Sequence, residues 1–121
     1  MEVILDTNFI IACVRKKIDF IEELSNQGFK ILLPREVYHE LKDVRLKSSS
    51  VDRAAIDIAL MLVKQKKLKG ITLGGTTVDQ GLMNLGKQGA YIATLDTAIK
   101  RAVPNRVVIA GAQNALVIER S

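Results

Sequence analysis

One cysteine, one histidine and no tryptophan occur in 121 residues, and each scarcity removes a class of chemistry. Cys13 has no partner for an internal disulfide, so nothing marks an oxidising compartment. The single histidine, His39, excludes a mechanism that needs a histidine pair as general acid and base. Three Phe and two Tyr make a poor base-stacking platform, so a nucleic acid would be held through its backbone phosphates. No run approaches the about eighteen apolar residues of a membrane span, and the N-terminus lacks the basic start and cleavage site of a signal peptide. The chain is therefore expected to be cytoplasmic, without membrane contact.

Hydrophobic residues make up 48% of the chain and charged residues 26%, ordinary values for a globular protein. The length suits one domain over residues 1–121, with one core. A net charge of +5 favours a polyanionic partner. Its basic clusters are Arg15-Lys16-Lys17, Lys42-Arg45-Lys47, Lys64-Lys66-Lys67-Lys69 and Lys100-Arg101, and each alone reads as a solvated face.

Apolar runs and helical periodicities alternate along the chain. Strands are expected from Val3 to Leu5, Lys30 to Leu33, Ile71 to Leu73, Ala90 to Thr94 and Val107 to Ala110, and Leu116 to Glu119 would add an edge strand. Helices are expected between them. Pro34 suits the first turn of one, whose inward face carries Val37, Glu40, Leu41 and Val44. The most regular stripe is Val51, Ala54, Ala55, Ile58, Ala59, Leu62 and Val63, expected to face the core. The sum is an α/β fold with a mostly parallel, five-stranded sheet.

Two strands run into acid, the first at Asp6 and another at Asp96. In such a sheet ligands sit beyond the carboxyl ends of the strands, so these carboxylates stand where chemistry is usual. Crowded acids need a proton or a cation to neutralise them, and all-oxygen ligation favours Mg²⁺ or Mn²⁺.

The acids also have structural readings. Asp6 would serve equally as a helix cap, and Asp79 as a first-turn partner of the helix dipole. Glu40 is more informative, because a carboxylate on an apolar stripe is costly unless it meets a cation or the edge of the core. Glu36, one turn earlier, could line the same face. Asp43, Asp52 and Asp57 read as solvated surface or caps, and His39 as a surface residue. Gly74-Gly75-Thr76-Thr77 lacks the lysine and spacing of a phosphate loop and reads as a tight turn.

In order, Leu5-Asp6-Thr7-Asn8, Leu33-Pro34-Arg35-Glu36-Val37-Tyr38-His39-Glu40-Leu41, Thr77-Val78-Asp79 and Ile92-Ala93-Thr94-Leu95-Asp96 resemble the motifs of the PIN-domain nucleases. The ending is similar to archaeal single-domain members related to rRNA-processing endonucleases. The resemblance implies a three-layer sandwich and metal-dependent hydrolysis of RNA phosphodiesters. It implies Asp6, Glu40, Asp79 and Asp96 as Mg²⁺ or Mn²⁺ ligands and catalytic residues, with Thr7, Asn8 and Thr94 orienting the site. Many members carry a further acid where this chain has Ala98, which leaves four ligands and favours one metal over two. The competing readings are a non-catalytic RNA-binding module of ribosome assembly, a toxin-type ribonuclease with an antitoxin partner, and a small-molecule phosphatase. Asn8 disfavours the phosphatase, because it stands where that chemistry wants a second aspartate. A homodimer would extend one basic groove across two sites.

Overall fold

The computed structural model describes residues 1–75, 77–112 and 114–121. Strands β1 (Glu2–Leu5), β2 (Lys30–Pro34), β3 (Lys69–Ile71), β4 (Tyr91–Ala93), β5 (Arg106–Ala110) and β6 (Ala115–Glu119) form one sheet in the order β3-β2-β1-β4-β5-β6. The first five strands run parallel, and β6 returns antiparallel to β5. The sheet thus holds six strands rather than five, because the additional edge strand expected from Leu116 to Glu119 forms, as Ala115–Glu119, and pairs along the whole of β5. The third strand begins two residues earlier than expected, at Lys69, and leaves Leu73 buried in the following loop.

Helices α1 (Thr7–Arg15), α2 (Phe20–Asn26), α3 (Arg35–Lys47) and α4 (Ser50–Gln65) cover one face of the sheet. Helices α5 (Val78–Lys87) and α6 (Thr97–Ala102) cover the other, completing three layers. Alternation along β1 explains the division. Val3 and Leu5 face the first layer with Phe9, Phe20, Val37 and Leu41, whereas Ile4 faces the second with Leu82, Ile92 and Ile99. Cys13 packs in the first layer, where burial pushes its thiol up to about 12, so it serves as a core residue and not as a nucleophile.

Helix α4 departs from its expected orientation. Ala55, Ile56, Ala59 and Val63 face the core, while Val51, Ala54 and Ile58 are exposed. Its sequence is apolar on more than one side, so periodicity alone leaves the rotation open. The observed rotation buries Ile56 and brings Asp52 to Arg15 and Asp57 to Arg45. Two acids expected as solvated surface or caps are therefore members of surface ion pairs.

Chain order reverses between β1 and β4: the connections after β1 lead outward to β2 and β3, and those after β4 lead the opposite way to β5 and β6. The carboxyl ends of β1 and β4 flank that switch point, where open α/β sheets leave a crevice.

Candidate active site

The register that pairs Leu5 with Ala93 sets Asp6 beside Thr94 at the mouth of the crevice. The Asp6 backbone N–H continues the ladder to the Ala93 carbonyl at 3.0 Å. Asp6 then caps α1, one carboxylate oxygen accepting from the Thr7 N–H at 2.8 Å. Its other oxygen accepts from the Thr94 hydroxyl at 2.8 Å. The cap and ligand-position readings of Asp6 are thus compatible, because a carboxylate has more lone pairs than these two donors use.

Thr94 is fully buried and also accepts from the Asp96 N–H at 3.0 Å. Asp96 caps α6 through the Ile99 N–H at 3.0 Å. A chain of hydrogen bonds therefore joins Asp6, Thr94, Asp96 and the start of α6, fixing two acids from distant segments. Thr7 is buried beside Asp6, and its hydroxyl is the buried side-chain polar atom left without a partner among the described residues. Asn8 is exposed.

The other two acids arrive on helices. Val37 and Leu41 anchor α3 in the core, leaving Glu40 half-buried at its flank. Thr77 caps α5 through the Gln80 N–H at 3.0 Å and sets Asp79 in the exposed first turn. The neighbouring Thr76 of the expected Gly74–Thr77 turn lies outside the described residues.

The acids sense one another. Burial pushes the Asp6 carboxyl above its usual range; the bonds from Thr94 and Thr7 pull it back, and the charges of Asp79 and Glu40 push it up again. Partial desolvation raises the Asp79 carboxyl, and the charges of Asp96 and Glu40 add to the rise. Four carboxylates from β1, α3, α5 and the β4–α6 junction thus share one electrostatic basin.

A family model described as PIN like domain matches residues 3–111. The chain belongs to the PIN-like domain family. Among solved structures, this PIN-like chain is similar to the PIN domain endonuclease Utp24, with 24% identity, a TM-score of 0.76, and coverage of 99% of this chain and 92% of that one. It also resembles a chain of VapBC2 from Rickettsia felis, solved bound to a DNA fragment from the promoter, with 18% identity, a TM-score of 0.55, and coverage of 89% and 97%. Sequence comparison with curated proteins finds no significant match.

The PIN-like chain separates the two glutamates of α3. Glu36 accepts the Leu73 N–H on both carboxylate oxygens, at 3.1 and 3.0 Å, and so ties α3 to the loop that leads to Asp79. Its role is invisible in the α3 sequence, because the donor lies 37 residues away. Gly81 also escapes a reading based on acids. A Cβ there would stand 2.7 Å from the Leu73 side chain and 2.8 Å from the Gly74 carbonyl oxygen, so glycine lets α5 approach that loop and hold Asp79 in place. A glycine inside an amphipathic helix was its sequence signal.

The donor set is entirely oxygen and carries several negative charges, which suits a hard divalent cation. Among the described residues no three acids are gathered closely enough to enclose a metal ion. Such spacing leaves room for water between the four acids and a divalent cation, and Mg²⁺ characteristically keeps part of its hydration shell. The orphaned Thr7 hydroxyl beside Asp6 leaves a polar partner for its water shell.

Proposed function

We propose that this protein is a metal-dependent endoribonuclease in which Asp6, Glu40, Asp79 and Asp96 hold Mg²⁺ or Mn²⁺ and water attacks an RNA phosphodiester. The observation that carries the proposal is the hydrogen-bonded joining of Asp6, Thr94 and Asp96 at the sheet's switch point, with Glu40 and Asp79 near enough for their charges to act on Asp6. When bound, the cation supplies a water of lowered pKa and a counter-charge for the leaving oxygen. Thr94 holds Asp6 by its hydroxyl and Asp96 by its backbone, so both acids keep their aim as charge builds on the phosphate. The Asp6 carboxylate, buried and repelled by Asp79 and Glu40, gains from any cation placed between them. The two similar structures, an endonuclease and a DNA-bound VapBC complex, support action on nucleic acid.

A non-catalytic RNA-binding module is the second reading, favoured by Ala98 and by the absence of a closed group of three acids among the described residues. Cleavage of a long structured RNA in Mn²⁺, Mg²⁺ or EDTA separates the two. Wild type should cut only with metal, and Asp6→Asn and Asp96→Asn, both folded, should fall to the EDTA baseline. RNA and divalent-metal binding without cleavage by wild type would leave the binding module. Partner classes that follow are an RNA, with a ribosome-assembly complex or an antitoxin as its setting, and cytoplasmic action fits each.

A further inference from the structure

At the end of the sheet opposite the acids, a cavity of about 460 Å³ is lined by Lys30, Lys66, Lys67 and Lys69, with Glu22 and Ser25 on its other side. Lys30 opens β2, Lys69 opens β3, and the parallel register puts Lys69 beside Leu32, so the two lysines share one face of the sheet. Lys66 and Lys67 come from the turn that ends α4, where Lys67 adopts a left-handed backbone, with φ of 50°, that most side chains avoid. The four lysines share this lining with one acid, Glu22, and Glu2 is the register partner of Lys30 on the adjoining strand. The ion pairs among the described residues use Arg15, Arg45 and Arg106, and none of these lysines. Lys30 stands close enough to Lys69 to lower the pKa of its amine, while the charge of Glu2 pulls the other way. Four lysines lining one cavity with a single glutamate are an electrostatic cost that an anion would relieve.

We propose that the Lys30, Lys66, Lys67 and Lys69 cavity is a phosphate-binding exosite that holds the backbone of an RNA strand extending beyond the carboxylate crevice. The inference rests on the ribonuclease reading for its ligand. Compact, strongly hydrated ammoniums suit phosphate oxygens as point charges. The edge strand β3 supplies a route between the two places. Lys69 stands at its start, a second cavity of about 290 Å³ beside it is lined by Arg35 and Thr72, and the loop beyond leads to Asp79. β2 spans about 13 Å between Lys30 and Pro34, so only a strand of several nucleotides would engage both ends. Short substrates should be bound by the crevice alone.

The test is equilibrium binding of a fluorescein-labelled single-stranded RNA in EDTA over a salt series. It compares wild type, Lys30→Gln/Lys69→Gln, Lys66→Gln/Lys67→Gln and a control pair, Lys16→Gln/Lys17→Gln, each checked by thermal melting. Losing two phosphate contacts should flatten the log–log salt slope by about 1.4 and weaken binding of the long RNA far more than of a short one. Lys30→Arg/Lys69→Arg should restore both. Slopes and affinities equal to those of the control pair would overturn the exosite while RNA binding by wild type stands. Competition by poly-glutamate as effective as competition by unlabelled RNA would also overturn it, in favour of an acidic protein partner. Pyrophosphate competing as well as RNA, with no dependence on length, would reduce the cavity to a site for free phosphate and overturn the strand assignment. Cleavage plays no part in the readout, so loss of the nuclease reading would show separately in the metal-dependent assay.

Discussion

Thr94 donates its hydroxyl to Asp6 at 2.8 Å across 88 residues of chain, and accepts the Asp96 N–H on the same oxygen. One buried atom therefore aligns two acids that local sequence cannot bring together. Thr94→Val should leave the Asp6 oxygen and the Asp96 N–H without this partner, costing about 1–3 kcal/mol in denaturant unfolding. RNA cleavage should fall about 10–100-fold, as for the loss of an outer-shell partner. Thr94→Ser should keep most of both. A Thr94→Val protein as stable and active as wild type would remove the link from the site.

Metal-free stability should carry the signature of the crowded acids. Asp6 and Asp79 titrate above the ordinary 3.8 when folded, so between that value and their folded pKa the native state binds more protons than the unfolded one. Their favourable contribution is present in full below 3.8 and is lost as pH rises through the folded pKa. In EDTA, Asp6→Asn should therefore melt above wild type near neutrality, with the gap closing as the pH falls. Divalent cation should raise the wild-type melting temperature and leave the variant little changed. A gap that widens toward acid would have the wrong sign.

The two glutamates of α3 should separate by readout. Glu36→Ala frees the Leu73 N–H and should cost about 1 kcal/mol in stability with cleavage largely retained. Glu40→Gln should leave stability within about 0.5 kcal/mol and remove metal-dependent cutting. The reverse pattern would exchange their roles.

The rotation of α4 is open to the same kind of comparison. Ile56 is fully buried, so Ile56→Ala should cost about 2–5 kcal/mol. Val51 is 73% exposed, and Val51→Ser should stay within about 0.5 kcal/mol by chemical denaturation. Equal losses at both positions would restore the orientation expected from the stripe.

Much of the candidate site was legible because its signals are local. β1 runs directly into Asp6 and β4 is followed by Thr94 and Asp96, so a buried strand pattern and the residues after it were enough to place three groups at one end of the sheet. Asp79 was legible through the resemblance of Thr77-Val78-Asp79, while its position alone spoke only for a first-turn partner of the helix dipole, and the capping role of Thr77 emerged in the structure. Glu36 was harder, since its position on α3 resembles that of Glu40 and its backbone partner lies in another segment.

By itself, the sequence determined the alternation of strands and helices, the acids that end or follow those strands, and the excess of basic charge, because periodicity, capping and composition act over a few neighbouring residues. Only tertiary structure decided the rest. The pairing of β6 with β5 made a sixth strand, and packing against α1 and α3 chose which apolar side of α4 to bury. The strand order joined Thr94 to Asp6 and set Lys30 beside Lys69. These outcomes depend on free energy shared between segments far apart in the chain, which no local pattern encodes.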